Sequence, residues 1–95
     1  MNDAQLLQSY AQTRSEEAFR TLIDRHINLV YSACQRQLHD QHLAQDATQA
    51  VFILLSQRAG SLRYESISGW LLKVARYTCA NIRKTELRRT RREQV

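Results

Sequence analysis

A chain of 95 residues with a net charge of +5 can form one domain, but it cannot bury a large hydrophobic core. The sequence has no proline and only two glycines, so few residues interrupt helices and a mostly helical chain is expected. It has no apolar run of about 18 residues and no signal-peptide pattern, which argues against a membrane protein and favours the cytoplasm.

The first two helices are predicted from polar capping residues that precede apolar residues at helical spacing. Asn2 or Asp3 can cap a short helix that runs to about Gln12. Ser15 can cap a long helix over about residues 16–38, in which apolar side chains recur every three or four positions. This second helix is therefore predicted to be amphipathic and to pack by one side.

The third helix is predicted to begin after Asp40, whose side chain can cap it. It should end near Arg58 or Ala59, and Gly60 suits the position just after the C-cap. Its core side is apolar.

The other side of the third helix combines polar residues with two large apolar ones: Asp46, Thr48, Gln49, Phe52 and Ile53. A polar surface with an exposed aromatic residue is typical of a protein-docking patch. The alternative is that Phe52 packs under the following loop.

Residues 60–68, GSLRYESIS, are predicted to form a loop. Within it, Arg63, Tyr64, Glu65 and Ser66 offer an aromatic plane, a donor and an acceptor, which is enough to hold one extruded base. The alternative is an ordinary connector.

The last helix is predicted to begin at Gly69 or Trp70, with Ser68 as its cap. At about 100° per residue, one side is apolar and the opposite side is cationic and partly aromatic. The apolar side comprises Leu71, Val74, Ala75, Thr78 and Ile82, and the other comprises Lys73, Arg76, Tyr77, Ala80, Arg83 and Lys84, with Trp70 and Asn81 at the border. The expected fold is all-α, a compact bundle of three main helices with a short N-terminal helix.

The last quarter of the chain is strongly basic, and its composition predicts a polyanionic partner, nucleic acid rather than membrane. Phosphates need dispersed positive charge, and unpaired bases stack on aromatic or guanidinium planes. The alternative for the cationic side is a solvated surface. Beyond Ile82 the segment cannot bury itself and is expected to fray without a partner. Its arginines should add non-specific phosphate contacts: Arg88, Arg89, Arg91 and Arg92.

Catalytic and metal-binding patterns are weak. Cys34 and Cys79 occupy apolar helical positions and are expected to be buried free thiols of a reducing compartment. His26 lies on an apolar stripe and is expected at the core or its boundary. His39 and His42 straddle a junction without further ligands at suitable spacing, so zinc is not expected. No nucleophilic arrangement or phosphate-binding glycine loop is present, so we expect neither an enzyme nor a cofactor.

Three motifs in order resemble domain 2 of bacterial extracytoplasmic-function (ECF) sigma factors. They are AFRTLIDRHINLVYSAC (18–34), similar to the opening core helix, LAQDATQAVFILL (43–55), similar to the polymerase-docking helix, and GWLLKVARYTCANIRK (69–84), similar to the helix that melts and reads the −10 element. The sequence departs from the family pattern at three positions. Ala50 replaces an acid, Tyr77 an asparagine and Asn81 an aspartate, so promoter preference is not transferable.

The resemblance implies that the chain docks on the β′ clamp helices of core RNA polymerase through Asp46, Gln49 and Phe52. It also implies capture of the non-template strand of the −10 promoter element by the 60–68 loop and the last helix, and it allows an anti-sigma factor as a further partner. Such factors carry a C-terminal helix-turn-helix domain, which is not expected within these residues. Two alternatives are a single-strand nucleic-acid-binding module without polymerase contact and a helical adaptor for protein docking.

Overall fold

The computed structural model describes residues 1–62 and 66–94, and this part of the chain folds into four α-helices. They are α1 (Asp3–Thr13), α2 (Glu16–Leu38), α3 (Gln41–Arg58) and α4 (Ile67–Glu93). The predicted all-α bundle is confirmed. None of the helices in these two described ranges carries an apolar stretch of the length that crossing a bilayer requires.

The first three helices begin at polar residues that sequence analysis proposed as caps. Ser15 and Asp40 each accept a hydrogen bond from the backbone N–H three residues later, at 3.2 and 3.0 Å. Asn2 and Gln5 form a reciprocal capping box, in which each side chain accepts from the other's backbone N–H at 2.8 and 2.9 Å. These local bonds satisfy orphan N–H groups and fix where each helix begins.

Two of the helix ends are left-handed residues, which makes the connections short. Arg14 (φ 54°) ends α1 and His39 (φ 51°) ends α2, and each donates its N–H to a carbonyl four residues earlier. Gly60 follows the C-cap residue Ala59 of α3, as predicted, but without a positive φ. The third helix therefore ends without the left-handed glycine that such positions often use.

The start of α4 differs from the prediction. The helix begins at Ile67, and its cap is Ser66, whose Oγ accepts from the N–H of Gly69 at 3.2 Å. Ser68 lies within the first turn instead. Ile67 is buried, so the earlier start adds an apolar side chain to the core.

The central helix of the bundle is α2, which packs against each of the other three helices, and α3 also packs against α4. The largest fully buried side chains come from α2, α3 and α4: Leu22, Val30, Val51, Leu55 and Leu71. Because one core is shared by three helices, the outer surfaces of α3 and α4 are held at a fixed relative orientation.

Both ends of the short helix α1 contact the first half of α2. The Asp3 carboxylate accepts from Arg25 at 3.1 Å and contacts Nε2 of His26 at 2.7 Å. The rings of Tyr10 and Phe19 lie 4.6 Å apart between centroids. The prediction that His26 lies at the core boundary is confirmed, since its side chain is 13% exposed.

The two cysteines are free and fully buried, as predicted, and they lie in the same core cluster. Burial raises the pKa of the Cys79 thiol to about 12, and a hydrogen bond with Cys34 adds to the rise. A thiol with this pKa stays protonated in the folded chain at every ordinary pH, and the thiolate is the reactive form.

We expect Cys79 of a Cys34→Ala variant to react with iodoacetamide at pH 8 at least ~100-fold more slowly in the folded protein than in guanidinium. Burial keeps the reagent away from the sulfur and disfavours ionisation of the thiol. In the chain that keeps both cysteines, raising the pH should leave the contribution of Cys79 to the free energy of unfolding unchanged up to about pH 9. Between 9 and 12 the free energy of unfolding should fall, because the unfolded thiol ionises and the folded one does not. Equal labelling rates in the two states would contradict the prediction.

The C-terminal half of α4 remains helical to Glu93, so the expectation that the segment frays is wrong in this structure. The 27 residues span about 40 Å at ~1.5 Å per residue. The bundle measures 52 × 21 × 20 Å along its principal axes, and residues 83–94 are exposed except for Glu86, which is half-buried. We call residues 83–93 the tail helix.

Candidate protein and nucleic-acid interfaces

The outer side of α3 forms an exposed ridge that includes Asp46, Gln49 and Ile53. The exposure expected for Asp46 and Gln49 is found. The exposure expected for Phe52 is wrong, because its side chain is only 6% exposed and packs in the core cluster. Ile53, which is 51% exposed, is the large apolar residue of this ridge.

Thr48 was also expected on the outer side of α3, and this is wrong as well. It is buried, and its hydroxyl donates to the carbonyl of Ala44 at 2.8 Å. This bond within the helix satisfies the hydroxyl without water. The polar surface of α3 is therefore narrower than the sequence pattern indicated.

An open apolar groove of about 660 Å³ runs along the surface where α2 packs against α3. Gln49 lines this groove, whereas Asp46 lines a smaller groove of about 340 Å³ between α3 and α4. The proposed docking residues thus lie on two sides of one ridge rather than in one pocket. The apolar lining of the α2–α3 groove comprises Phe19, Ile23, Ile27, Tyr31, Phe52 and Ile53.

The first half of α4 presents the cationic and aromatic side that the sequence predicted. Leu71 and Ala75 are fully buried, whereas Lys73, Arg76 and Tyr77 are exposed. Tyr77 is 70% exposed, so most of its side chain is available for stacking. The remaining predicted members are Trp70, which is half-buried against the core, and Arg83 and Lys84, which are exposed.

The predicted base-capturing loop is described only at its ends. Arg63 and Tyr64 lie outside the described residues. Ser66 is exposed, but its Oγ caps α4 and lies 3.2 Å from the Oγ of Ser68. The hydroxyl of Ser66 therefore has a structural task, which the sequence pattern did not reveal.

The charges of the tail helix are not equivalent. Arg89 donates to Glu86 at 2.9 Å and lies 3.6 Å from Glu93, and the hydrogen bond with Glu86 followed by the two negative charges raises the pKa of Arg89. Residues three and four apart share one side of a helix, so the spacing of Glu86, Arg89 and Glu93 could have indicated this pairing. Among the described residues, no salt bridge involves Arg88 or Arg91.

In the described ranges, no three His, Cys, Asp or Glu side chains lie close enough together to hold a metal ion. His39 is the left-handed C-cap of α2, and His42 is exposed in the first turn of α3. The surfaces that remain are a mixed apolar and polar ridge beside a groove, and a cationic aromatic helix side.

A family model described as Sigma-70 region 2 matches residues 22–93, which is most of the chain. The comparison with curated proteins gave no match, and the comparison with solved structures gave none. The matched range includes the groove side of α2 from Leu22 onward, the whole of α3 and α4 as far as Glu93.

Proposed function

Because the chain belongs to the sigma-70 region 2 family, whose members bind RNA polymerase and take part in promoter recognition, we propose that it works as an ECF-type promoter-opening module. In this proposal the domain docks on the β′ clamp helices of core polymerase with α3. It captures the non-template strand of the −10 element with α4 and the preceding loop. Strand opening breaks no covalent bond, so it requires only a surface that binds unpaired bases better than paired ones.

The ridge on α3 supports the docking half of the proposal. Asp46 and Gln49 are exposed one turn apart, and Ile53 adds an apolar contact on the next turn. Interfaces combine an apolar centre with a polar rim, and this ridge supplies both at the edge of the α2–α3 groove. Phe52, which sequence analysis placed at the contact surface, instead forms part of the groove wall and shapes the ridge from below.

The observation that carries the DNA half is the exposed ring of Tyr77 between Lys73 and the following cationic turns. From Ile67 to Thr85 the helix contains no acidic residue, so nothing on it repels phosphate. An aromatic plane flanked by cations can hold an unpaired base and its backbone together. Trp70 lies two turns earlier, and in the proposal it borders the loop that receives the extruded base.

The proposal is tested by mixing the 95-residue chain with core polymerase and a labelled non-template −10 oligonucleotide. We expect the chain to co-elute with polymerase on size exclusion and the complex to retain the oligonucleotide more tightly than either protein alone. A chain that binds the oligonucleotide but never co-elutes would favour a general single-strand-binding module. A chain that co-elutes without changing oligonucleotide retention would favour an adaptor.

Replacing Tyr77 with alanine is expected to weaken binding of the single-stranded −10 oligonucleotide by about 5- to 150-fold, because a stacked base is worth roughly 1–3 kcal/mol. Tyr77→Phe keeps the ring and should bind nearly as wild type. Since the side chain is mostly exposed, neither change should move the thermal melt. Fluorescence anisotropy with all three proteins measures the effect, and equal losses for Ala and Phe would exclude stacking.

A further inference from the structure

We propose that the tail helix binds the phosphates of double-stranded DNA with one side only, and that Arg89 on the opposite side makes no phosphate contact. The binding side carries Lys84, Arg88 and Arg91. The role of this contact at a promoter rests on the proposed function, because there the duplex would adjoin the melted segment. The binding itself can be measured without polymerase.

The two sides of the tail helix differ in charge because of helical phase. At about 100° per residue, Lys84, Arg88 and Arg91 fall within roughly 60° of one another. Glu86, Arg89 and Glu93 fall within a second such arc, about 170° away. Both acids of the tail lie in the second arc, and both pair with Arg89. The first side is therefore purely cationic, whereas the second carries one cation and two acids and is weakly acidic.

The side with Glu86, Arg89 and Glu93 explains how the segment stays helical with almost no core contact. Residues beyond Ile82 bury little, so the helix depends on interactions along its own surface. The hydrogen bond between Arg89 and Glu86 and the ion pair with Glu93 link three successive turns. The cations on the opposite side are thus presented on a formed helix.

A duplex fits this surface better than a single strand. The described residues after Tyr77 include no aromatic side chain, so the tail helix lacks the aromatic rings on which unpaired bases stack. Lys84 and Arg91 are separated by about 10 Å along a rigid helix at ~1.5 Å per residue. A duplex offers a fixed, dense array of phosphates to such a rod, with about one charge per 1.7 Å of axis.

The tail helix also lies in line with the proposed single-strand surface. Tyr77, Lys84 and Arg91 are seven residues apart and share one side of α4. From Tyr77 to Arg91 the distance along the axis is about 21 Å at ~1.5 Å per residue. A strand that leaves the stack at Tyr77 would therefore rejoin its duplex beside the cationic tail.

The test compares two double variants with the same net charge. Arg88→Gln with Arg91→Gln removes two cations from the proposed binding side, whereas Arg36→Gln with Arg89→Gln removes one exposed cation from α2 and the paired arginine. Each protein is titrated with a 20-base-pair duplex lacking promoter sequence and with a single strand of equal length, over a range of salt concentrations. Circular dichroism checks that all variants remain helical.

We expect the first variant to lose about 10-fold in duplex affinity, and its slope of log K against log salt to become shallower by roughly 1.8, which is about 0.9 per lost phosphate contact. The second variant should keep the wild-type slope within about 0.3, although its tail helix should exchange amide hydrogens faster. Arg88→Lys with Arg91→Lys should restore the slope, since only charge is needed.

Equal slope changes in the two double variants would overturn the assignment of sides. A larger loss for the single strand than for the duplex would overturn the choice of ligand. Neither result would affect co-elution with polymerase, which tests the proposed function separately. Conversely, a chain that fails to co-elute but shows the expected slopes would leave this inference standing as general duplex binding.

Discussion

Replacing Leu71 with alanine is expected to lower the free energy of unfolding by about 2–5 kcal/mol, the usual cost of truncating a fully buried leucine. Leu71 is 0% exposed and lies on the inner side of α4, where α2, α3 and α4 share one core. Domains of this size are stable by about 5–15 kcal/mol, so the variant should keep only part of its stability. Urea unfolding followed by circular dichroism measures the loss.

The same helix provides the matched control. Leu87 is 54% exposed on the tail helix, and its replacement by alanine should change stability by less than about 0.5 kcal/mol. Similar losses at Leu71 and Leu87 would mean that the tail helix is packed rather than exposed. A large difference would show that α4 is anchored by its first half.

Replacing Asp46 and Gln49 together with alanine is expected to weaken binding to core polymerase by about 5- to 150-fold, because central interface residues commonly contribute roughly 1–3 kcal/mol. Both side chains are exposed, so the thermal melt should barely move. The control is Gln12→Ala with Glu16→Ala, which removes an exposed amide and an exposed acid from α1 and the start of α2. Unchanged affinity in the first variant, measured by biolayer interferometry, would rule out this ridge as the docking surface.

Alanine substitutions at Phe52 and Ile53 distinguish a residue that contacts polymerase from one that supports the ridge from within the core. Ile53→Ala should reduce polymerase affinity without loss of stability, because the side chain is half exposed. Phe52→Ala should lower stability by about 3–5 kcal/mol, since a buried ring is removed. If Ile53→Ala left affinity unchanged while Phe52→Ala reduced it without any loss of stability, the original placement of Phe52 at the contact would regain support.

The helix boundaries that depend on local bonds could be predicted from the sequence. Asn2, Ser15 and Asp40 each precede a run with helical spacing, and each caps the helix that follows. Ser66 and Ser68 offer the same capping chemistry two residues apart, so sequence alone could not choose between them. Burial of Ile67 against the rest of the bundle decides in favour of Ser66, and that packing is not local.

In the docking ridge too, helical spacing alone could not predict which side chains are buried. Phe52 lies at the edge of the buried stripe of α3, where a small rotation of the helix would expose or bury it. The adjoining side of α2, with Phe19 and Tyr31, offers an apolar wall that buries it and leaves Ile53 outside. Thr48 was missed for a related reason, because its hydroxyl is satisfied within its own helix. The sequence analysis predicted fraying of the tail helix because it considered core contacts and not the ion pairs of Arg89 with Glu86 and Glu93.

The unbroken course of α4 constrains how the length of this segment can vary. From Trp70 to Glu93 no glycine or proline interrupts the helix, so its two halves cannot turn independently. One inserted residue after Ile82 would rotate everything beyond it by about 100° and carry Arg88 toward the side now held by Arg89. Seven inserted residues would return it to within about 20°. Substitutions in this segment change single contacts, whereas insertions or deletions rotate every following side chain of the tail helix about the helix axis. The cationic side therefore keeps its direction only when the change in length is close to a whole number of turns.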